Sequence, residues 1–168
     1  MGTKAHKEKA LNHLNIGVLT LSTTRTLADD QSGHWISEQV RKDGHEIVCH
    51  QVIPDDAETI TRTVQAVIHD HAPHALLLTG GTGISEKDVT IESVKPLLDK
   101  ELTAFGVIFA QLSFEEIGSA ALLSRATAGL IGKTLVFCMP GSLKACQLAC
   151  RRLIFPELGH LAMHVCEA

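Results

Sequence analysis

His74-Ala75-Leu76-Leu77-Leu78-Thr79 runs without a charged residue into Gly80-Gly81-Thr82-Gly83. Four consecutive apolar residues that stop at glycines are too few for a helix and suit a strand buried on both faces. Upstream the same pattern recurs. Asn15-Ile16-Gly17-Val18-Leu19-Thr20-Leu21-Ser22 is an apolar run closing on hydroxyl residues, and residues 46–53 form another. Helical stretches separate these runs. One covers about residues 32–43, with Trp35, Ile36, Gln39 and Val40 near one face and Gly44 as the stop. The next follows Pro54, carries Ile60, Val64, Val67 and Ile68 as a core stripe, and ends near Pro73. Asp55 is its expected N-cap, with Glu58 three residues later.

Downstream of the glycines the pattern predicts a short helix at about residues 90–94, interrupted by Pro96, and a longer one at about 105–123. Residues 126–131 and 134–139 flank Gly132-Lys133, which reads as a two-residue hairpin turn. Pro140-Gly141-Ser142 leads into a helical region containing Leu143, Cys146, Leu148, Cys150 and Leu153, and a terminal helix is expected to start at Pro156. Alternating strands and helices predict a three-layer α/β/α fold, with a mainly parallel sheet plus one antiparallel hairpin. A flexible N-terminal arm, residues 1–14, is expected to precede a single domain, residues 15–168.

Composition narrows the function. The 168 residues carry 15 Lys+Arg against 19 Asp+Glu, a net charge of −4, with no long basic run, so the footprint of a duplex-binding protein is missing. Aromatic residues are 4% and include no Tyr, which argues against stacking single-stranded bases. No nucleic-acid partner is therefore expected. Five cysteines, an odd number without a Cys-x-x-Cys pair, read as free or buried thiols in a reducing compartment. The charged start, residues 1–13, has no apolar signal-peptide core, and no apolar run approaches the roughly 20 residues of a membrane span. A soluble cytoplasmic protein without a membrane partner is the expectation.

Open α/β sheets bind ligands beyond the carboxyl ends of their strands, which makes four strand exits the places to search. They are Ser22-Thr23-Thr24-Arg25, Pro54-Asp55-Asp56, Thr79-Gly80-Gly81-Thr82-Gly83 and Pro140-Gly141-Ser142. Three glycines in four positions let backbone N–H groups converge on a phosphate, although a tight turn would also use them. Ile84-Ser85-Glu86 follows where a Walker A loop needs Gly-Lys-Ser/Thr, and Glu86 stands where a dinucleotide fingerprint needs Gly or Ala. Asp55 and Asp88 each suit a helix cap. Together, beside a phosphate-shaped loop, they favour holding Mg²⁺ against phosphate oxygens. Arg25 and Ser32-Gly33 could clamp an anion, and Ser142 is either an anion seat or an ordinary cap. His160 and His164 have metal-compatible spacing but lack an obvious third ligand, and His69, His71 and His74 cluster at a helix end.

Thr79-Gly80-Gly81-Thr82-Gly83 followed by Lys87-Asp88-Val89-Thr90 resembles the MoaB/MogA molybdenum cofactor biosynthesis family, which is related to the gephyrin G domain. Asp30-Gln31-Ser32-Gly33 is similar to the family's Asp-x-Ser-Gly loop, and Pro54-Asp55-Asp56 to its acidic turn. Glu115-Glu116-Ile117-Gly118 and Ser124-Arg125-Ala126 resemble the MoaB branch. The resemblance implies molybdopterin binding and, in active members, transfer of AMP from Mg-ATP to its terminal phosphate. Asp55 and Asp88 would then be catalytic and bind Mg²⁺. Ser22, Arg25, Ser32, Gly33, Thr79, Gly80, Gly81, Thr82, Gly83, Ser85, Pro140, Gly141 and Ser142 would contact the substrates ATP and molybdopterin. It further implies a homotrimer or homohexamer. Where many relatives read Phe-Gly-Glu and then Arg, this chain has Phe105-Gly106-Val107 and Ala110, which favours the alternative of a non-catalytic binding or scaffold oligomer.

Overall fold

A computed structural model describes residues 11–167 of the chain. Six strands form one mixed sheet: β1 (Asn15–Leu21), β2 (Glu46–Ile53), β3 (Ala75–Thr79), β4 (Lys100–Glu101), β5 (Thr127–Ile131) and β6 (Thr134–Met139), in the order β2-β1-β3-β6-β5-β4. β2, β1, β3 and β6 run parallel, β5 pairs antiparallel with β6, and β4 pairs antiparallel with β5. The expected hairpin is present, and β4 extends it by a strand the sequence did not reveal. Both β4 residues are exposed and charged, so no apolar pattern marks them.

Alternation along each strand sends side chains to two cores. On one face Ile16, Val18, Leu77 and Phe137 pack against α1 (Gln31–Lys42), α4 (Thr103–Ile117), α5 (Leu143–Ala149) and α6 (Leu158–Cys166). On the other face Leu19, Leu76, Leu78 and Val136 meet α2 (Ala57–His71) and α3 (Thr90–Val94). The chain leaves β1 for β2 on one side and returns to β3 on the other. Their carboxyl ends therefore flank a switch point, where an open sheet leaves a crevice.

Several expected boundaries move. Asp56, not Asp55, caps α2: its backbone is extended and its carboxylate accepts the Thr59 N–H at 2.9 Å. Asp88 caps no helix either, because Val89 takes the N-cap position of α3 without a side-chain bond. The long helix expected to reach residue 123 breaks at Gly118, φ 61°, and continues as a 3-10 turn over Gly118–Leu123. The terminal helix starts at Leu158 and not at Pro156, because Cys150–Ile154 forms a π-helical turn that delays it.

Of the expected arm, residues 1–10 lie outside the described residues. Leu11 donates its N–H to the Gly159 carbonyl at 3.3 Å, and Leu14 is fully buried. The reading that no apolar run approaches membrane-spanning length also needs correction. The 21 residues from Thr103 to Leu123 are long and apolar enough by length and composition, with a mean hydropathy of 1.3. Phe105 and Phe109 in this segment face the core, whereas Val107, Phe114 and Leu122 are exposed.

Candidate functional site

All four strand exits meet at one cleft of about 440 Å³ at the carboxyl edge of the parallel strands. The β1 exit is shaped by Ser22, whose hydroxyl oxygen accepts the N–H groups of Thr24 (3.2 Å) and Arg25 (3.1 Å). This turn sends the Arg25 side chain toward the β6 exit, where Nη1 donates to the Gly141 carbonyl at 3.3 Å. Ser32 Oγ donates to the same carbonyl at 3.1 Å.

The β3 exit supplies the floor. Gly80 and Gly81 have φ of 107° and 62°, conformations that side chains resist. A Cβ at Gly80 would also collide with the Leu21 carbonyl oxygen, and one at Gly81 with the Thr90 hydroxyl. The loop is closed by Thr90, fully buried, whose hydroxyl donates to the Gly80 carbonyl at 2.8 Å and whose N–H donates to Gly81 O at 3.0 Å. Within it, Asp88 Oδ2 accepts the Ser85 N–H at 2.9 Å and the Ser85 hydroxyl at 2.6 Å. That hydroxyl is the strongest influence on Asp88. With the Ser85 and Gly83 amides and the Arg125 charge, it outweighs slight burial and holds the carboxyl below its ordinary value. Arg125 itself pairs with Glu92.

Asp55 reaches the cleft from the β2 exit, because Asp56 has taken the capping duty. Asp55 makes no hydrogen bond or ion pair among the described residues, which leaves its carboxylate available to the cleft. Lys87 joins Arg25 as a second cation in the lining. Two carboxylates and two cations around a glycine loop match a phosphate accompanied by a divalent cation. Mg²⁺ takes one or two protein carboxylates and completes its shell with water and phosphate oxygens, so Asp55 and Asp88 fit it. Among the described residues no three His, Cys, Asp or Glu side chains form a metal cluster.

Of the residues named from sequence, Ser22, Arg25, Asp55, Gly80, Gly81, Thr82, Gly83, Asp88, Pro140 and Gly141 line the cleft. The others stand behind or beside it. Thr79 is buried, bonding the Pro140 carbonyl at 3.0 Å and lying 2.9 Å from Cys146 Sγ. Ser32 and Ser85 brace Gly141 and Asp88, as described. Gly33 is buried against Asp30 and His50, and Ser142 caps α5 by accepting the Ala145 N–H at 3.3 Å. Sequence reasoning gave no role to Lys87, Thr24 or Leu123, all in the lining. Lys87 stands in the Lys87-Asp88-Val89-Thr90 stretch and Thr24 in the first strand exit, and those positions were the available signals. Cys146 lies just beneath, but burial pushes its thiol up, which makes it a poor nucleophile.

This geometry defines an α/β protein with an anion-suited cleft at the switch point of its sheet. Residues 17–160 match the family described as "Probable molybdopterin binding domain". The chain is 43% identical over 166 residues to Molybdenum cofactor biosynthesis protein B of Bacillus cereus, covering 98% of each chain. A crystal structure of a Molybdenum cofactor biosynthesis protein B superposes with a TM-score of 0.90 at 43% identity, covering 93% of this chain and 98% of that one. The tungsten cofactor synthesizing protein MoaB from Pyrococcus furiosus superposes with a TM-score of 0.80 at 37% identity, covering 93% and 99%. The chain belongs to the MoaB/MogA family of molybdenum cofactor biosynthesis proteins.

Proposed function

We propose that this cleft holds molybdopterin during molybdenum cofactor biosynthesis, with the terminal phosphate against the Gly80–Gly83 loop. The observation that carries the reading is the meeting of four strand exits around one glycine floor, with Arg25 and Lys87 beside it. The Gly80 N–H is spent on the Met139 carbonyl and the Gly83 N–H on Asp88, so the N–H groups of Gly81 and Thr82, with the two cations, are the loop's donors suited to a phosphate monoester.

AMP transfer is a second reading, favoured by one observation: Asp55 has no hydrogen bond or ion pair among the described residues and lines the same cleft as Asp88. In that reaction a phosphate oxygen of molybdopterin attacks the α-phosphorus of ATP, forming the new P–O bond as pyrophosphate leaves. Mg²⁺ held by Asp55 and Asp88 would supply charge stabilisation to the phosphates. Arg25 and Lys87 would orient the phosphate oxygens, and the loop amides would hold them. Val107 and Ala110 do not line the cleft. Their lost charges leave the phosphate floor intact and instead make α4 more apolar on its outer side, where Val107 is 69% and Phe114 61% exposed. That outer side suits a second copy of the chain, in keeping with a homotrimer or homohexamer, and Phe114→Glu should then yield monomers in sedimentation velocity.

Purified protein incubated with molybdopterin, ATP and Mg²⁺ separates the readings by quantifying bound pterin, adenylyl-molybdopterin and pyrophosphate. Bound pterin without AMP transfer supports the binding reading alone. Adenylyl product that disappears in Asp55→Ala adds the transferase. Absence of molybdopterin binding would overturn both.

A further inference from the structure

The loop that brings Arg25 to the cleft has an anchor that the proposed chemistry leaves unused. Residues 23–29 are all exposed, lying between the buried Leu21 and the fully buried Asp30. Exposed among the described residues and held internally only by the Ser22 and Thr26 side-chain bonds and a single 3-10 turn, they depend for their path on how their ends are fixed. Asp30 fixes the far end in three directions. Its Oδ1 accepts the Gly33 N–H at 2.9 Å and so caps α1, while Oδ2 accepts the Thr20 hydroxyl of β1 at 2.7 Å. The same Oδ2 lies 2.8 Å from His50 Nε2 on the edge strand β2. A carboxylate only accepts, so Nε2 carries the proton of this bond.

Two further observations tie the imidazole to the loop. The His34 ring meets the His50 ring edge to face at 5.3 Å, and His34 Nε2 donates to the Leu27 carbonyl within the loop at 2.7 Å. A Cβ at Gly33 would collide with both the Asp30 carboxylate and the His50 ring, so glycine there makes room for the pair. Just past Asp30, Ser32 reaches the Gly141 carbonyl that Arg25 also uses.

We propose that His50 is a positioning residue for the cleft: by donating Nε2–H to Asp30 it holds the β1-exit loop so that Arg25 and Ser32 both meet Gly141. The ligand side of this inference rests on the phosphate-binding reading above. His50 touches no substrate and acts through Asp30.

The test compares His50→Leu, which keeps bulk but loses the donor, with His50→Gln, which restores an N–H. Amide hydrogen exchange is measured along the chain, and Mg²⁺ with inorganic pyrophosphate serves as the binding probe. His50→Leu should speed exchange in residues 23–33 by about tenfold while β3 and β6 stay as protected as before. Pyrophosphate affinity should fall by about tenfold once Arg25 is no longer preorganised, and His50→Gln should recover most of both effects. Unchanged loop exchange in His50→Leu would overturn the proposal. So would an equal rise across β3 and β6, or a Gln variant as defective as Leu. If the wild-type protein binds no pyrophosphate, the phosphate reading fails, and loop exchange still decides the anchor. Should His50→Leu not fold, Asp30→Asn removes the Oδ2 acceptor from the other side. His50→Gln should then add nothing in that background, whereas additive effects would contradict action through Asp30.

Discussion

The two loops that face each other across the cleft differ in how far their anchors lie along the chain. Between Gly80 and Thr90 most of the contacts are local: two positive-φ glycines, Ser85 on Asp88, and Thr90 on the carbonyls of Gly80 and Gly81, with the Gly80 N–H on the Met139 carbonyl as the tie to the sheet. The β1-exit loop adds to its local Ser22 turn a set of partners far away in the chain. Asp30 bonds His50 twenty residues on, and Ser32 and Arg25 bond Gly141 more than a hundred residues on. The lesson is one of division of labour. A phosphate floor can be written largely into eleven consecutive residues, whereas the clamp above it exists only once the sheet has assembled.

Breaking the remotely held loop should have the largest consequence. Asp30→Ala removes a helix cap and leaves Thr20 and His50 without their acceptor, so urea denaturation should show a loss of about 3 kcal/mol. A pH dependence follows from the same residue. Burial pushes the Asp30 carboxyl up, but hydrogen bonds from His50, Thr20 and the Gly33 amide outweigh it and hold the folded-state value below normal. Its contribution is therefore complete above the unfolded pKa of about 4 and is lost as pH falls through the lower folded value. The Asp30→Asn variant should lose less stability than the wild type over that acid range, and urea midpoints from pH 5 downward would reveal it.

The locally held loop should break by strain. Gly80→Ala forces a Cβ into φ 107° against the Leu21 carbonyl and should cost about 2 kcal/mol in the same denaturation experiment. Ser142→Ala, beside the cleft, should cost about 1 kcal/mol for the lost cap without changing pterin affinity. Asp55→Asn sharpens the comparison from the other end. A half-buried side chain with no hydrogen bond or ion pair among the described residues should alter stability by less than about 0.5 kcal/mol, yet calorimetry should show Mg²⁺-dependent phosphate binding weakened about tenfold.

The same division decides what could be read from the sequence. The glycine floor, the hairpin turn and the four exits were legible because each rests on neighbouring residues with a fixed pattern. Asp55 and Asp56 were harder to separate, since either spacing fits an N-cap. Only the extended backbone at Asp56 and its bond to Thr59 assign the cap and free Asp55. His50 reads as one more residue of a half-buried strand, and its partner is the cap of α1 twenty residues earlier, so no local pattern identifies it. β4 escaped because two charged residues carry no periodicity, and the late start of α6 because a π-helical turn leaves no sequence signature.

Hydrogen exchange of the wild-type protein with and without molybdopterin tests most directly whether the two loops form one site. Saturating pterin should protect residues 22–33 and 80–88 together, with little change at the β5–β6 hairpin turn. Protection confined to one loop, or appearing only at the hairpin end of the sheet, would contradict a cleft in which a local phosphate floor and a remotely anchored clamp act on the same ligand.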